Sequence, residues 1–283
     1  MIRRSALSLV VVAVVIACGG KQPTTSTGSN AAMAPSASSS AGSVETPASP
    51  RLFIVFADVT RSLTPQEQAS VIANVQTIIG LLPTGAHLYV FPLLEDVQRA
   101  GAVFNDQLPQ IQTTSDAVAV DMARAKWSRD VADKLRTLLA GPADGRNHTC
   151  VSGAFRKAEE ITEPGTAAEI VVVSDMLEDC GDSLLHKPVK LQKTSIEREI
   201  AAARALPPVS LLQLNGASVT AILPTVPTSG QRVARPPVHE LKTFWRAVLD
   251  RCGDNPSNYR FGTTVPQRLL DYKADQESLE GRV

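Results

Sequence analysis

The 283-residue chain is poor in the residue types from which nucleic-acid and carbohydrate sites are built. Phe, Tyr and Trp make up only 4% of it, which leaves no stacking platform for bases and no long sugar-binding stripe. Lysine plus arginine equals aspartate plus glutamate at 28 each, and that balance gives no electrostatic reason for a nucleic-acid partner. There are four histidines, and His148 has no second histidine at ligand spacing, so it reads as a solvated loop residue rather than part of a zinc site. No G-x-S-x-G, H-E-x-x-H or G-x-x-x-x-G-K sequence occurs, so the nucleophile elbow, the zinc-protease helix and the phosphate-cradling loop are all missing. Nor is there an apolar run of membrane-spanning length. The longest candidate, Leu7 to Ile16, is too short for a standard membrane helix.

That run has a different use. Arg3 and Arg4 precede it, and Val15-Ile16-Ala17 lead into Cys18 and Gly19, so residues 1–17 read as a secretory signal. The sequence VIAC-G resembles a bacterial lipobox, which implies that Cys18 becomes the lipidated N-terminus of the mature protein. Gly19 after that cysteine implies an outer rather than an inner membrane, with the domain facing the periplasm or the cell surface of a bacterial envelope. Residues 18–50 are rich in Ser, Thr, Ala, Pro and Gly, with Lys21 and Glu45 as the only charges. Such a composition buries too little surface to offset its ordering entropy, and it is expected to be a disordered tether. Removal of Arg3 and Arg4 with the signal leaves 26 basic against 28 acidic residues, still near neutrality. Asn147-His148-Thr149 formally matches a glycosylation acceptor, a reading the bacterial lipobox opposes.

Residues 51–283 fit one α/β domain. It is organised around RLFIVFADVTRS, Arg51 to Ser62, where a buried strand delivers Asp58, Thr60 and Ser62 to its C-terminal tip. Carboxylate and hydroxyl oxygens are hard ligands suited to Mg²⁺, Mn²⁺ or Ca²⁺. The alternative is an Asx-turn before a helix, with two ordinary loop hydroxyls. A second buried strand, EIVVVSDMLED from Glu169 to Asp179, ends in Asp175, and Thr149 closes the polar loop DGRNHT before a helix from Ser152 to Ile161. Two acids and a threonine can meet at one face of an open α/β sheet, where such folds place their ligands.

These segments resemble a von Willebrand factor A-type domain, whose metal-ion-dependent adhesion site is written D-x-[ST]-x-S, then Thr, then Asp. The matches are Asp58-Val59-Thr60-Arg61-Ser62, Thr149 in TCVSGAF, and Asp175 in VVVSDM. Thr60 stands where Ser is more usual, and no Gly-Gly pair precedes Thr149. The resemblance covers roughly residues 51 to 252. It implies a doubly wound, mostly parallel sheet with helices on both faces, and no enzymatic activity. It further implies a divalent ion held by Asp58, Thr60, Ser62, Thr149 and Asp175, with a protein partner's acidic residue completing the coordination. Two other functions stand beside it. One is a metal-free scaffold on the same fold. The other is a Mg²⁺-dependent phosphate hydrolase, disfavoured because Thr60 occupies the place of the second aspartate that haloacid-dehalogenase-like phosphatases carry.

The rest of the chain supplies the frame. Thr64-Pro65-Gln66-Glu67 reads as a capping box, followed by apolar residues at helical spacing to Leu82. His87 to Phe91 reads as a strand and Gly101 to Asn105 as a short antiparallel edge. Ser115 to Ala140 reads as one long helix, or two broken near Trp127. A helix from Ser195 to Leu206, a strand from Ala217 to Leu223, a proline-rich stretch to Pro237 and an amphipathic helix from His239 to Arg251 follow, and the tail from Asp254 is less periodic. Export permits disulfides. In the arrangement the resemblance implies, Cys150 and Cys180 both lie at the ligand-bearing end of the sheet and are expected to pair, with Cys252 free and partly buried.

Overall fold

Six consecutive apolar residues closed by an acid, LFIVFAD, form strand β1, Leu52–Asp58, every one of them buried. The computed structural model describes residues 52–110, 113–142, 146–178, 201, 214, 216–224, 237–251 and 258–271. Among the described residues the other strands are β2 (His87–Leu93), β3 (Phe104–Gln107), β4 (Ala168–Val173), β5 (Ser218–Ile222) and β6 (Tyr259–Gly262). They join in one six-stranded sheet of order β3-β2-β1-β4-β5-β6. Only β3 runs antiparallel. The chain therefore winds outward from β1 in one direction through β2 and in the other through β4, and the strand tips flanking that reversal are where an α/β sheet leaves a crevice.

Helices cover both faces: α1 (Pro65–Gly80), α2 (Thr114–Ala140), α3 (Val151–Ile161) and α4 (Val238–Arg251). The period of two in β1 divides the core. Phe53, Val55 and Ala57 join the layer containing Val71, Val75 and Ile79 of α1 and Trp127, Val131 and Leu135 of α2. Leu52, Ile54 and Phe56 face the layer containing Ala154 and Phe155 of α3 and Phe244, Trp245 and Val248 of α4. Complete burial of Phe53 and Phe56 contributes about 1.5–3 kcal/mol each.

The expected capping box is formed. Glu67 N–H donates to Thr64 Oγ1 at 3.3 Å and Thr64 N–H to Glu67 Oε2 at 2.7 Å. α2 is continuous through Trp127, which packs edge-on against Phe104 at 5.0 Å and so gains from an unbroken helix. The edge strand lies later than the apolar Ala102-Val103 suggests, because Phe104 is its one buried residue and pairs with Val90 while Asn105, Asp106 and Gln107 stay exposed. β6 was not expected at all, since YRFG carries only two apolar residues and reads as tail. The signal, the tether, all of the Ser195 to Leu206 helix but Ala201, and most of the proline-rich stretch lie outside the described residues. Among the described residues no helix is long and apolar enough to cross a membrane.

Candidate functional site

Register brings the two strand tips together. Ala57 pairs with Val173, so the next positions, Asp58 and Ser174, are neighbours across parallel strands. Ser174 Oγ donates to Asp58 Oδ2 at 2.6 Å and in turn accepts the Met176 N–H at 3.0 Å. On the other carboxylate oxygen, Asp58 Oδ1 accepts from Thr60 N–H at 2.9 Å and from Thr60 Oγ1 at 2.6 Å. The Asx-turn geometry and the clustering of hydroxyls thus coexist, rather than being alternatives.

Thr60 Oγ1 is the hub. It lies 2.8 Å from Ser62 Oγ and 3.0 Å from Thr149 Oγ1, the latter contact spanning 89 residues of sequence. A hydroxyl has one proton and two lone pairs. With its proton given to Asp58, Thr60 receives those of Ser62 and Thr149, which leaves lone pairs on the Ser62 and Thr149 oxygens for an external Lewis acid. Four of the five anticipated residues are therefore in one hydrogen-bonded cluster. Asp175, the fifth, follows Ser174 directly and turns its Oδ1 onto the Leu177 N–H at 3.1 Å. Asp58, Thr60, Thr149 and Asp175 are buried, and Ser62 is exposed at the outer side of the group.

The donor chemistry fits a hard divalent cation. Two carboxylates and the hydroxyls of Ser62 and Thr149 match the oxygen preference of Mg²⁺ or Mn²⁺, and Thr60 orients the two hydroxyls. Among the described residues no cluster of three or more His, Cys, Asp or Glu is placed to hold a metal, so a softer or more acidic centre is not offered there.

Residues that sequence inspection passed over hold this cluster in place. Arg146, 5% exposed, donates to the Pro142 carbonyl at 3.0 Å and the Gly141 carbonyl at 2.6 Å, satisfying the end of α2. Its own carbonyl accepts the Arg61 N–H at 3.0 Å, which ties the Thr149 loop to the Asp58 loop. Gly153 allows α3 to seat closely, since a Cβ there would come within 2.7 Å of Val97 Cγ1 and 2.9 Å of Cys150 Sγ. Met176 holds a left-handed φ of +60° beside Asp175, and the Trp245 indole donates to its carbonyl at 2.9 Å. Glu178, 1% exposed, accepts from the Val151 and Ser152 N–H groups at 2.7 and 3.1 Å and from the Ser152 hydroxyl. The available signal for Glu178 was a helix without a cap of its own: Cys150 occupies the N-cap position with no side-chain cap, and the first turn has no acid. His148 is half-buried rather than solvated. Cys150 is buried, while Cys180 and Cys252 lie outside the described residues, and the expected pairing lies there with them.

No family model matches the chain, and no curated protein matches it. Among solved structures it is similar to a von Willebrand factor type A protein from Catenulispora acidiphila, with TM-score 0.41 and 14% identity over 80% of this chain and 42% of that one. It is also similar to the pilus adhesin SpaC from Lactobacillus rhamnosus GG, with TM-score 0.42 and 9% identity over 81% of this chain and 30% of that one. A third similarity is to the three N-terminal domains of a type V pili tip protein from Porphyromonas gingivalis, with TM-score 0.29 and 14% identity over 46% of this chain and 20% of that one. The chain spans less than half the length of each of these proteins.

Proposed function

We propose that the domain is an envelope binding module, lipid-anchored through Cys18, that engages a protein partner through a divalent cation. Asp58, Ser62, Thr149 and Asp175 would hold the ion, with Thr60 behind them as the hydroxyl that orients Ser62 and Thr149. When bound, it supplies a Lewis-acid position for a carboxylate of the partner. The chain's own residues do the preparatory work. Thr60 collects two hydroxyl protons and passes its own to Asp58, which orients the Ser62 and Thr149 oxygens outward. Ser174 holds the second Asp58 oxygen at the β4 tip. The observation that carries the proposal is the convergence of Asp58, Thr60, Ser62 and Thr149 on one hydroxyl, from two loops distant in sequence.

The test is titration of the mature protein with Mg²⁺ or Mn²⁺, followed by calorimetry and thermal melting. At about ten times its dissociation constant a cation should stabilise the fold by about 1.4 kcal/mol through mass action. In a domain of this size that is a rise of roughly 3–6 °C in Tm. Asp58→Asn, which keeps an acceptor toward Thr60 but removes the charge, should abolish the rise and leave the fold intact. Absence of any cation-dependent rise in the wild type at millimolar Mg²⁺ would sink the proposal. Capture of a partner from envelope extract should then depend on the cation and be lost with chelator.

A specific observation favours a second reading, the metal-free scaffold. Asp58 already accepts three hydrogen bonds from Thr60 and Ser174 and is satisfied without a cation. The same titration separates the two. The Cys150 to Cys180 pairing belongs to the main proposal. Peptide mapping that joined Cys252 to either cysteine would overturn it.

A further inference from the structure

We propose that Glu178 is a positioning residue of the candidate cation site, holding the Thr149 hydroxyl in register with Asp175 by gripping the N-terminus of α3. The inference rests on the cation reading and deepens it. α3 begins two residues after Thr149, and its first N–H groups have no cap within their own segment. Glu178 supplies that cap from the loop after β4, 26 and 27 residues away in sequence, with three bonds to Val151 and Ser152. A carboxylate at this place also complements the positive end of the helix, and charge-assisted bonds of this kind are the stronger ones.

The other end of the tether is equally fixed. Between Asp175 and Glu178 the chain is pinned by the Ser174 hydroxyl on the Met176 N–H and by the Trp245 indole on the Met176 carbonyl. Asp175 and Glu178 therefore move as one piece. So do Thr149 and the first turn of α3. The Glu178 carboxylate joins the two pieces, and the 3.0 Å contact from Thr149 Oγ1 to Thr60 Oγ1 depends on their staying joined. Buried at 1% exposure and occupied by α3, Glu178 acts on the cation through Thr149 and not by contact.

Glu178→Gln keeps the size of the side chain but removes the charge that complements the α3 N-terminus, leaving a neutral acceptor for the Val151 and Ser152 N–H groups and obliging the Ser152 hydroxyl to accept rather than donate. Removal of a partner that orients a metal ligand weakens binding by about 10–100-fold, and a loss of that size in Mn²⁺ affinity is expected here. Ser152→Ala, which removes only the hydroxyl bond and keeps both N–H bonds, should give a smaller loss in the same direction and serves if the first variant folds poorly. A destabilised control separates positioning from general loosening. Leu108 is 2% exposed and bonds through its N–H to Ala86, at the opposite end of the sheet, so Leu108→Ala should lower Tm and leave Mn²⁺ affinity at the wild-type value. Calorimetric titration of the wild type, these three variants and Asp58→Asn decides the matter. Wild-type affinity in both Glu178→Gln and Ser152→Ala would overturn the proposal and leave the cation reading standing. Loss in Leu108→Ala as large as in Glu178→Gln would overturn it too, as would complete loss in Glu178→Gln matching Asp58→Asn, which would make Glu178 a ligand. Failure of the wild type to bind Mn²⁺ would remove the cation reading and this proposal with it.

Discussion

Replacing Trp245 with phenylalanine isolates the bond that holds the loop after β4. Trp245 is 1% exposed, and its indole donates to the carbonyl of Met176, itself fully buried at a φ of +60°. Phenylalanine preserves an aromatic ring between Phe155 and Phe244, whose centroids lie 5.7 and 5.1 Å away. It cannot donate. A buried carbonyl that loses its donor costs about 1–3 kcal/mol. The missing second ring vacates roughly 40 Å³, and at about 24 cal/mol per Å³ that adds about 1 kcal/mol if the site does not collapse. The expected loss is therefore about 2–4 kcal/mol, or roughly 5–15 °C in Tm for a domain of this length. Urea unfolding followed by far-UV circular dichroism measures it without using the tryptophan under study, and the slope with denaturant should not change. A loss below about 0.5 kcal/mol, the range of inconsequential surface substitutions, would refute the claim that this bond restrains the Met176 backbone.

Gly153→Ala should destabilise by about 1–3 kcal/mol, because the new Cβ would meet Val97 Cγ1 at 2.7 Å and α3 must shift outward to relieve it; a melting temperature equal to wild type would contradict that close approach. Burial raises the pKa of Glu169 from 4.5 to about 7, against the opposing hydrogen bond from Thr220 and the charges of Arg268 and Arg260. Its Oε2 has no hydrogen bond among the described residues, and the Arg268 guanidinium is 3.7 Å away. The folded state thus holds a proton the unfolded chain releases, so the stabilisation is complete below pH 4.5 and disappears as pH rises through about 7. On the order of 3 kcal/mol is lost across that window, and Glu169→Gln should flatten this part of the stability profile; an unchanged profile in the variant would rule out Glu169 as its source. Cys18→Ser should release the protein from envelope membranes into the soluble fraction, and a wild type found wholly soluble would rule out the anchor.

Sequence alone determined the parts of this protein that depend on local chemistry. Six apolar residues before Asp58 could only be a strand buried on both faces, Thr64 to Glu67 could only open a helix, and the acid-hydroxyl spacing of Asp58, Thr60 and Ser62 marked the place where the chain turns. Those signals need no knowledge of what lies opposite. Asp175 was marked as the acid that ends a second buried strand and Thr149 as the residue that closes a polar loop before a helix, and the resemblance joined them to Asp58. Tertiary structure alone decided the rest. Whether Asp58 and Ser174 touch depends on the register of two strands 116 residues apart. Trp245 and Glu178 each satisfy backbone groups belonging to a distant segment, and the sequence around one partner carries no record of the other. The same holds for β6, a strand whose four residues gain their pairing energy from the edge that β5 presents and not from their own pattern.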